Sequence, residues 1–440
     1  MNTTISALPE LTGKSVTLQG WVYNFRSSGK IFFLQVRDGS GFVQAVASKA
    51  DISAESWAAC EQVSIESSVE VTGVVKEDTR SASGVELGVT EVKLIHAGPE
   101  WPIGKKEHGP EFLFDNRDLY LRSKTPWAIL RIRDRIFFSI EHFFHEEGFI
   151  RFDSPIIQPT SCEDTTQLFT VDYYGTPSYL SQSGQLYSEA GIMSFGKVYD
   201  FGPVFRAEKS KTRHHLSELW MMDAEMAFFD QQMNMDLQEK MVKRIVKDVL
   251  DHYKVELAIL ERDTTILERL VKEPFVRLTH AEVKKMLKDE GLVSEVEHTD
   301  ENYWADDMST EAEVALGNKY KLPVFIQDYP AAVKSFYMKK YTDSDGMLRV
   351  RCADLIAPEE GREIIGGSQR EESYELLKQE IIDRKYPLKE YEWYLNTRKF
   401  GSVPHSGFGI GLERTVRWIT GTHHIRETIP FPRMLNRMKP

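Results

Sequence analysis

Cysteine is scarce in this chain: Cys60, Cys162 and Cys352 are the only three in 440 residues, and no two form a CxxC pair. That excludes a disulfide framework and a structural zinc cluster, and it fits a reducing cytosol. No apolar run approaches the ~20 residues that span a bilayer, which excludes a membrane-spanning helix. Residues 1–10 have neither a basic segment nor an apolar one and do not read as a secretory signal. An excess of positive charge is lacking too, since 67 acidic residues outnumber 55 basic ones for a net charge of −12. This argues against non-specific nucleic-acid coating but leaves room for a local basic and aromatic RNA site. There is no G-x-S-x-G elbow and no cysteine in an activating context. The His214-His215 and His423-His424 pairs point apart on a strand or helix, so neither is a metal pair.

What is present is ordinary globular composition, 41% hydrophobic and 28% charged, in a chain long enough for two or three domains. β-rich segments at Ser15 to Val22, Ile31 to Val36, Gly41 to Val46, Ser68 to Val75 and Val85 to Ile95, with a short helix within 50–65, predict a five-stranded Greek-key barrel over 1–96. Residues 97–118, rich in Pro and Gly at the start, read as a linker. From 119 to 440 the pattern is α+β. A helix is expected with Thr125 as N-cap and Gly148 as its end, a second over about 232–253, and a third from the capping box Thr279-His-Ala-Glu282. Strand-like segments between them, without parallel strand-helix-strand alternation, predict an antiparallel sheet flanked by helices.

Four polar clusters fall at strand ends and turns. Phe205-Arg206-Ala-Glu208 puts an arginine and a glutamate two apart on one strand face, ahead of a basic loop reaching His215; this suits phosphate, or else is a solvated hairpin. Ser406-Gly-Phe-Gly-Ile-Gly-Leu-Glu413-Arg414 is a glycine-alternating strand that admits a ligand to the backbone and runs into a helix. It misses the dinucleotide spacing. Asp354 and Glu363, near Arg370, are hard oxygen donors that suit Mg²⁺ shared with a nucleotide phosphate, or are surface charges. Ser181-Gln182-Ser-Gly-Gln185-Leu-Tyr-Ser188-Glu189 reads as a small polar ligand site or as a polar turn ahead of a helix.

Together these clusters resemble the class II aminoacyl-tRNA synthetases of the aspartate/asparagine/lysine subgroup, most closely its asparagine members, over nearly the whole chain. The helix leading to Asp153-Ser-Pro155 resembles the family's first motif, Phe205-Arg206-Ala-Glu208 its second, and Gly409-Ile-Gly-Leu-Glu413-Arg414 its third. The resemblance implies an OB-fold anticodon domain followed by a catalytic domain, with ATP as substrate, Mg²⁺ as cofactor, and asparagine and tRNA(Asn) as partners. It also implies a cytoplasmic homodimer formed through the helix 126–147 and the Pro155 region. Arg206 would hold the α-phosphate and the attacked carboxylate, Glu208 the adenine end, Arg414 adenine and the γ-phosphate side, and His215 the triphosphate. Asp354 and Glu363 match the Mg²⁺-binding acids, and Glu163, Gln182 and Gln185 the ammonium-binding residues. Arg26, Phe33 and Gln44 match anticodon-reading positions.

Aspartate members carry a lysine three residues after the second glutamine of Gln-Ser-Pro-Gln, and here that position is Ser188. Arg370 would donate to the substrate's carboxamide oxygen, and Glu225 would accept from its NH₂. Leu219 replaces an expected aromatic, and Asp164 an expected glycine. Two other readings use the same residues: an enzyme that makes free asparagine, and an RNA-binding protein without catalysis.

Overall fold

The computed structural model describes residues 2–81, 83–104, 106–160, 162, 167–210, 212–291, 304 and 306–440. Glu163 and Asp164 lie outside the described residues. The chain divides into two compact units, Met1–Phe114 and Asp115–Pro440.

In the first unit the strands Ser15–Ser28, Ile31–Arg37, Phe42–Ser48, Ser68–Glu77 and Val85–His96 close into a barrel. Neighbours follow the order first, second, third, fifth, fourth, and the third and fifth run parallel. Alternation does the sorting: Phe32, Leu34 and Val36 point into the core, while Ile31, Phe33 and Gln35 stay on the outer face. The helix Ala54–Gln62 starts at Ser53, whose Oγ accepts from the Ser56 amide at 3.1 Å. Residues 97–104 and 106–109 carry no helix or strand. The stretch read as a linker nevertheless contains the short helix Pro110–Asp115 and the start of a second, Arg117–Tyr120. Arg117 is fully buried and donates to the carbonyls of Pro430 at 2.9 Å and Ile429 at 3.1 Å, so it is part of the second unit's interior.

The second unit is built on an eight-stranded sheet. Its six inner strands, in spatial order Val324–Gln327, Cys352–Ala357, Arg362–Gln369, His405–Gly411, Glu218–Ala227 and Lys197–Phe205, are antiparallel. The edges are not. Ile150–Arg151 runs parallel to Lys197–Phe205, and Val276–Thr279 parallel to Val324–Gln327, so the sheet is mixed. Helices Lys124–Glu146 and Gln231–His252 pack Ile132, Ile136 and Ile140 with Met241, Ile245 and Val249 into one core with the sheet. The first of these helices begins two residues earlier than expected, with Ser123 rather than Thr125 as N-cap. Pro126 then occupies the third helical position, where its missing N–H costs nothing because no first-turn amide has an intrahelical partner. The expected capping box is present, Thr279 Oγ1 accepting from the Glu282 amide and the Glu282 carboxylate from the Thr279 amide.

Candidate active site

The inner strands of the sheet form the floor of a cavity of about 600 Å³. Arg206 and Glu208 line one side of it. They do not sit on the strand face expected of them, because the strand ends at Phe205 and both lie in the loop that follows. There Arg206 Nη1 donates to the Gln182 carbonyl at 2.5 Å, which ties this loop to the turn before the helix Gln185–Phe195. His215 closes the rim, its Nδ1 2.7 Å from Thr212 Oγ1. Burial, then Arg414, pushes His215 below its ordinary pKa. His214 beside it is pushed down to about 3 by burial and by Arg417, Arg362, Arg213 and Arg414. These arginines make a locally cationic mouth on a chain of net negative charge, suited to a polyphosphate.

Arg414 stands in the first turn of the helix Leu412–Thr420 and donates from Nη1 to the Glu363 carbonyl at 2.9 Å. Asp354 and Glu363, from adjoining strands, converge on Gly366: a Cβ there would lie 3.2 Å from Glu363 Oε1 and 3.7 Å from Asp354 Oδ1. Lys334 Nζ holds the outer oxygen Asp354 Oδ2 at 2.6 Å. Burial pushes Asp354 up to about 6, against the pull of Lys334. Among the described residues no group of three or more His, Cys, Asp or Glu side chains could hold a metal. Two carboxylates with the remaining ligands left to phosphate and water is the donor set that suits Mg²⁺.

At the other end of the cavity Arg370 forms a buried two-pronged pair with Glu225: Nη2 to Oε1 at 2.5 Å and Nε to Oε2 at 3.3 Å. Ser368 Oγ accepts from Arg370 Nη1 at 2.7 Å. Burial drives the Glu225 carboxyl upward, and the Arg370 guanidinium opposes it. Gln185 lines the cavity beside Arg370. Gln182 is buried, offering its carbonyl to Arg206, and Ser188 is fully buried with no hydrogen-bond partner for its Oγ among the described residues.

The glycine-rich strand has a second use that its sequence did not suggest. Gly407 pairs with Glu225 and Gly409 with Asp223 across the sheet. A Cβ at Gly409 would come within 2.6 Å of Asp223 Oδ1. Gly407 and Gly409 thus make room for acids of the neighbouring strand, while Gly409 and Gly411 also line the cavity with bare backbone.

Three features went unread in the sequence. Asp223 lines the cavity, buried, and accepts from Ser183 Oγ at 2.8 Å and the Gly184 amide at 2.9 Å. Its spacing of two from Glu225 on a strand puts both acids on one face, and that signal was available. Lys334 and the partners of Glu189 described below reach the site from distant segments that carry no local motif. In the barrel, Arg26 and Phe33 are cross-strand partners with the guanidinium 4.3 Å from the ring centroid, and Gln44 pairs with Gln35 on the same outer face.

A family model described as "tRNA synthetases class II (D, K and N)" matches residues 109–435, and one described as "OB-fold nucleic acid binding domain" matches 16–95. The chain belongs to the class II tRNA synthetases of this group. An asparagine–tRNA ligase of Streptococcus pneumoniae is 47% identical over 445 residues, covering 99% of both chains. Among solved structures of class II synthetases, asparaginyl-tRNA synthetase of Pyrococcus horikoshii complexed with asparaginyl-adenylate matches with a TM-score of 0.90 and 38% identity, covering 98% of each chain. That of Entamoeba histolytica matches at 0.89 and 30%, covering 100% of this chain and 99% of that one.

Proposed function

We propose that the chain is an asparagine–tRNA ligase that activates asparagine with ATP and transfers it to tRNA(Asn). The asparagine carboxylate attacks the α-phosphorus, the bond to the β-phosphate oxygen breaks, and diphosphate leaves. The terminal 3′ hydroxyl of the tRNA then attacks the adenylate carbonyl and AMP leaves. Positioning and charge neutralisation carry this kind of transfer, so no protein nucleophile is required. Arg206 takes the α-phosphate and the attacking carboxylate. Glu208 takes the adenine end, with Arg414 against adenine and toward the γ-phosphate and His215 at the triphosphate. Asp354 and Glu363 would hold Mg²⁺, which supplies positive charge against the phosphates. Asn-derived ammonium goes to Gln182 and Gln185, with Glu163 assigned by resemblance alone.

The observation that carries the choice of asparagine is the buried Glu225–Arg370 pair with serine at position 188. Arg370 is already matched by an acid, and no lysine stands at 188 to neutralise a second carboxylate, so a neutral carboxamide fits and aspartate does not. Asparagine-dependent exchange of pyrophosphate into ATP, followed by AMP-forming charging of tRNA(Asn), tests this reading; consumption of ammonia instead would assign asparagine synthesis.

The anticodon goes to the outer barrel face, a base stacking on Phe33 with Arg26 and Gln44 at its edges. Homodimerisation through the helix 126–147 and the Pro155 region is supported by the exposed apolar side chains Phe138, Ile150, Ile156 and Ile157. A cytoplasmic location accords with three buried cysteines that form no disulfide among the described residues.

A further inference from the structure

Behind Gln185 lies a buried carboxylate that the proposed chemistry does not use. Glu189, one helical turn on, is fully buried. Its two oxygens have separate duties. Oε2 accepts from Tyr394 Oη at 2.8 Å and from Arg398 Nη2, and His405 Nε2 lies 3.1 Å from it. Among the described residues Oε1 accepts from the Gln185 Nε2 amide alone, at 3.0 Å, with Arg370 Nε 4.0 Å away. His405 is fixed in turn by Nδ1, 2.7 Å from the Val403 carbonyl.

We propose that Glu189 is a positioning residue that sets the orientation of the Gln185 carboxamide, amide nitrogen inward and oxygen toward the cavity. An ionised carboxylate only accepts hydrogen bonds, so Gln185 must turn its NH₂ to Glu189 and leave Oε1 for the pocket. An ammonium group only donates, so an oxygen is the atom its binding site needs there. The inference rests on the assignment of this pocket to asparagine, and it explains how an otherwise ambivalent glutamine reads one end of the substrate.

The Tyr394 and Arg398 donors on Oε2 make the test sharp. In Glu189→Gln they hold the new side chain's oxygen, so its NH₂ faces Gln185. Gln185 then turns over and presents NH₂ to the pocket. In the double variant Gln185→Glu/Glu189→Gln, the carboxylate at 185 accepts from the amide at 189 and again shows the pocket an oxygen. Measured by ATP–pyrophosphate exchange, Glu189→Gln is expected to raise the asparagine KM by ~10-fold or more while the ATP KM stays within about twofold, and the double variant to recover most of the asparagine KM. Asparagine and ATP KM rising together, neither rising, or a double variant no better than the single one would each overturn the positioning role. If the single variant does not fold, the double variant decides: an asparagine KM within about threefold of wild type supports the pairing, and an unfolded protein or a rise of ~10-fold or more overturns it. Wild-type protein without asparagine-dependent exchange overturns the underlying assignment as well, and so separates the two failures.

Discussion

Gly407 stands directly opposite Glu225 on the neighbouring strand, and a Cβ at 407 would lie 2.0 Å from Glu225 Oε1. The buried acid proposed to select the substrate amide therefore fits only because its cross-strand partner has no side chain. Gly407→Ala should force Glu225 off Arg370, cost ~1–3 kcal/mol of stability through overpacking, and sharply raise the asparagine KM. Urea unfolding and exchange kinetics on the same preparation check both effects.

Arg206→Ala is expected to lower asparagine-dependent ATP–pyrophosphate exchange by ~10²- to 10³-fold, the usual loss for a group that meets developing charge. The fold should survive, because Arg206 lies in a loop beyond the strand end. Near-normal exchange with unchanged circular dichroism would remove Arg206 from the reaction.

Glu225→Gln tests the selection of amide over acid. It leaves Arg370 without its counter-charge, so aspartate should gain and the asparagine preference fall by ~10-fold or more. An unchanged ratio of kcat/KM values would place the discriminating group elsewhere.

Much of this was legible beforehand, for local reasons. The barrel strands announced themselves by alternation, the helix at His280 by its capping box, and the site by polar clusters at strand ends. What could not be read depends on which strands lie side by side. The match of Gly407 to Glu225 is a matter of register between segments far apart in the chain, and the Arg398–Glu189 pair joins residues 209 positions apart. The two-residue strand Ile150–Arg151 and the helices at 110–120 are too short to impose a period, and their form comes from packing.

Acid stability should depend on the buried His280 and the half-buried Asp200, with opposite sign. Burial pushes His280 from its ordinary 6.5 down to about 3, with the Asp306 carbonyl opposing. Between those values the unfolded chain binds the extra proton, so this group's contribution is lost as pH falls below 6.5, by up to ~1.4 kcal/mol per unit. Burial and Asp223 push Asp200 from 3.8 up to about 6, so between those values the folded chain binds the proton and stability from this group rises as pH falls. His280→Gln should therefore flatten the loss of stability between pH 7 and pH 5, and Asp200→Asn should steepen it. Denaturant midpoints at both pH values read the two slopes.

The most direct measurement sets asparagine and aspartate side by side in ATP–pyrophosphate exchange with the wild-type protein. A pocket in which Arg370 is already matched by Glu225 predicts robust exchange with asparagine and a kcat/KM for aspartate lower by ~10⁴-fold, the scale at which a site built around one polar group rejects its near-twin. Comparable exchange with the two amino acids, or a preference for aspartate, would contradict it.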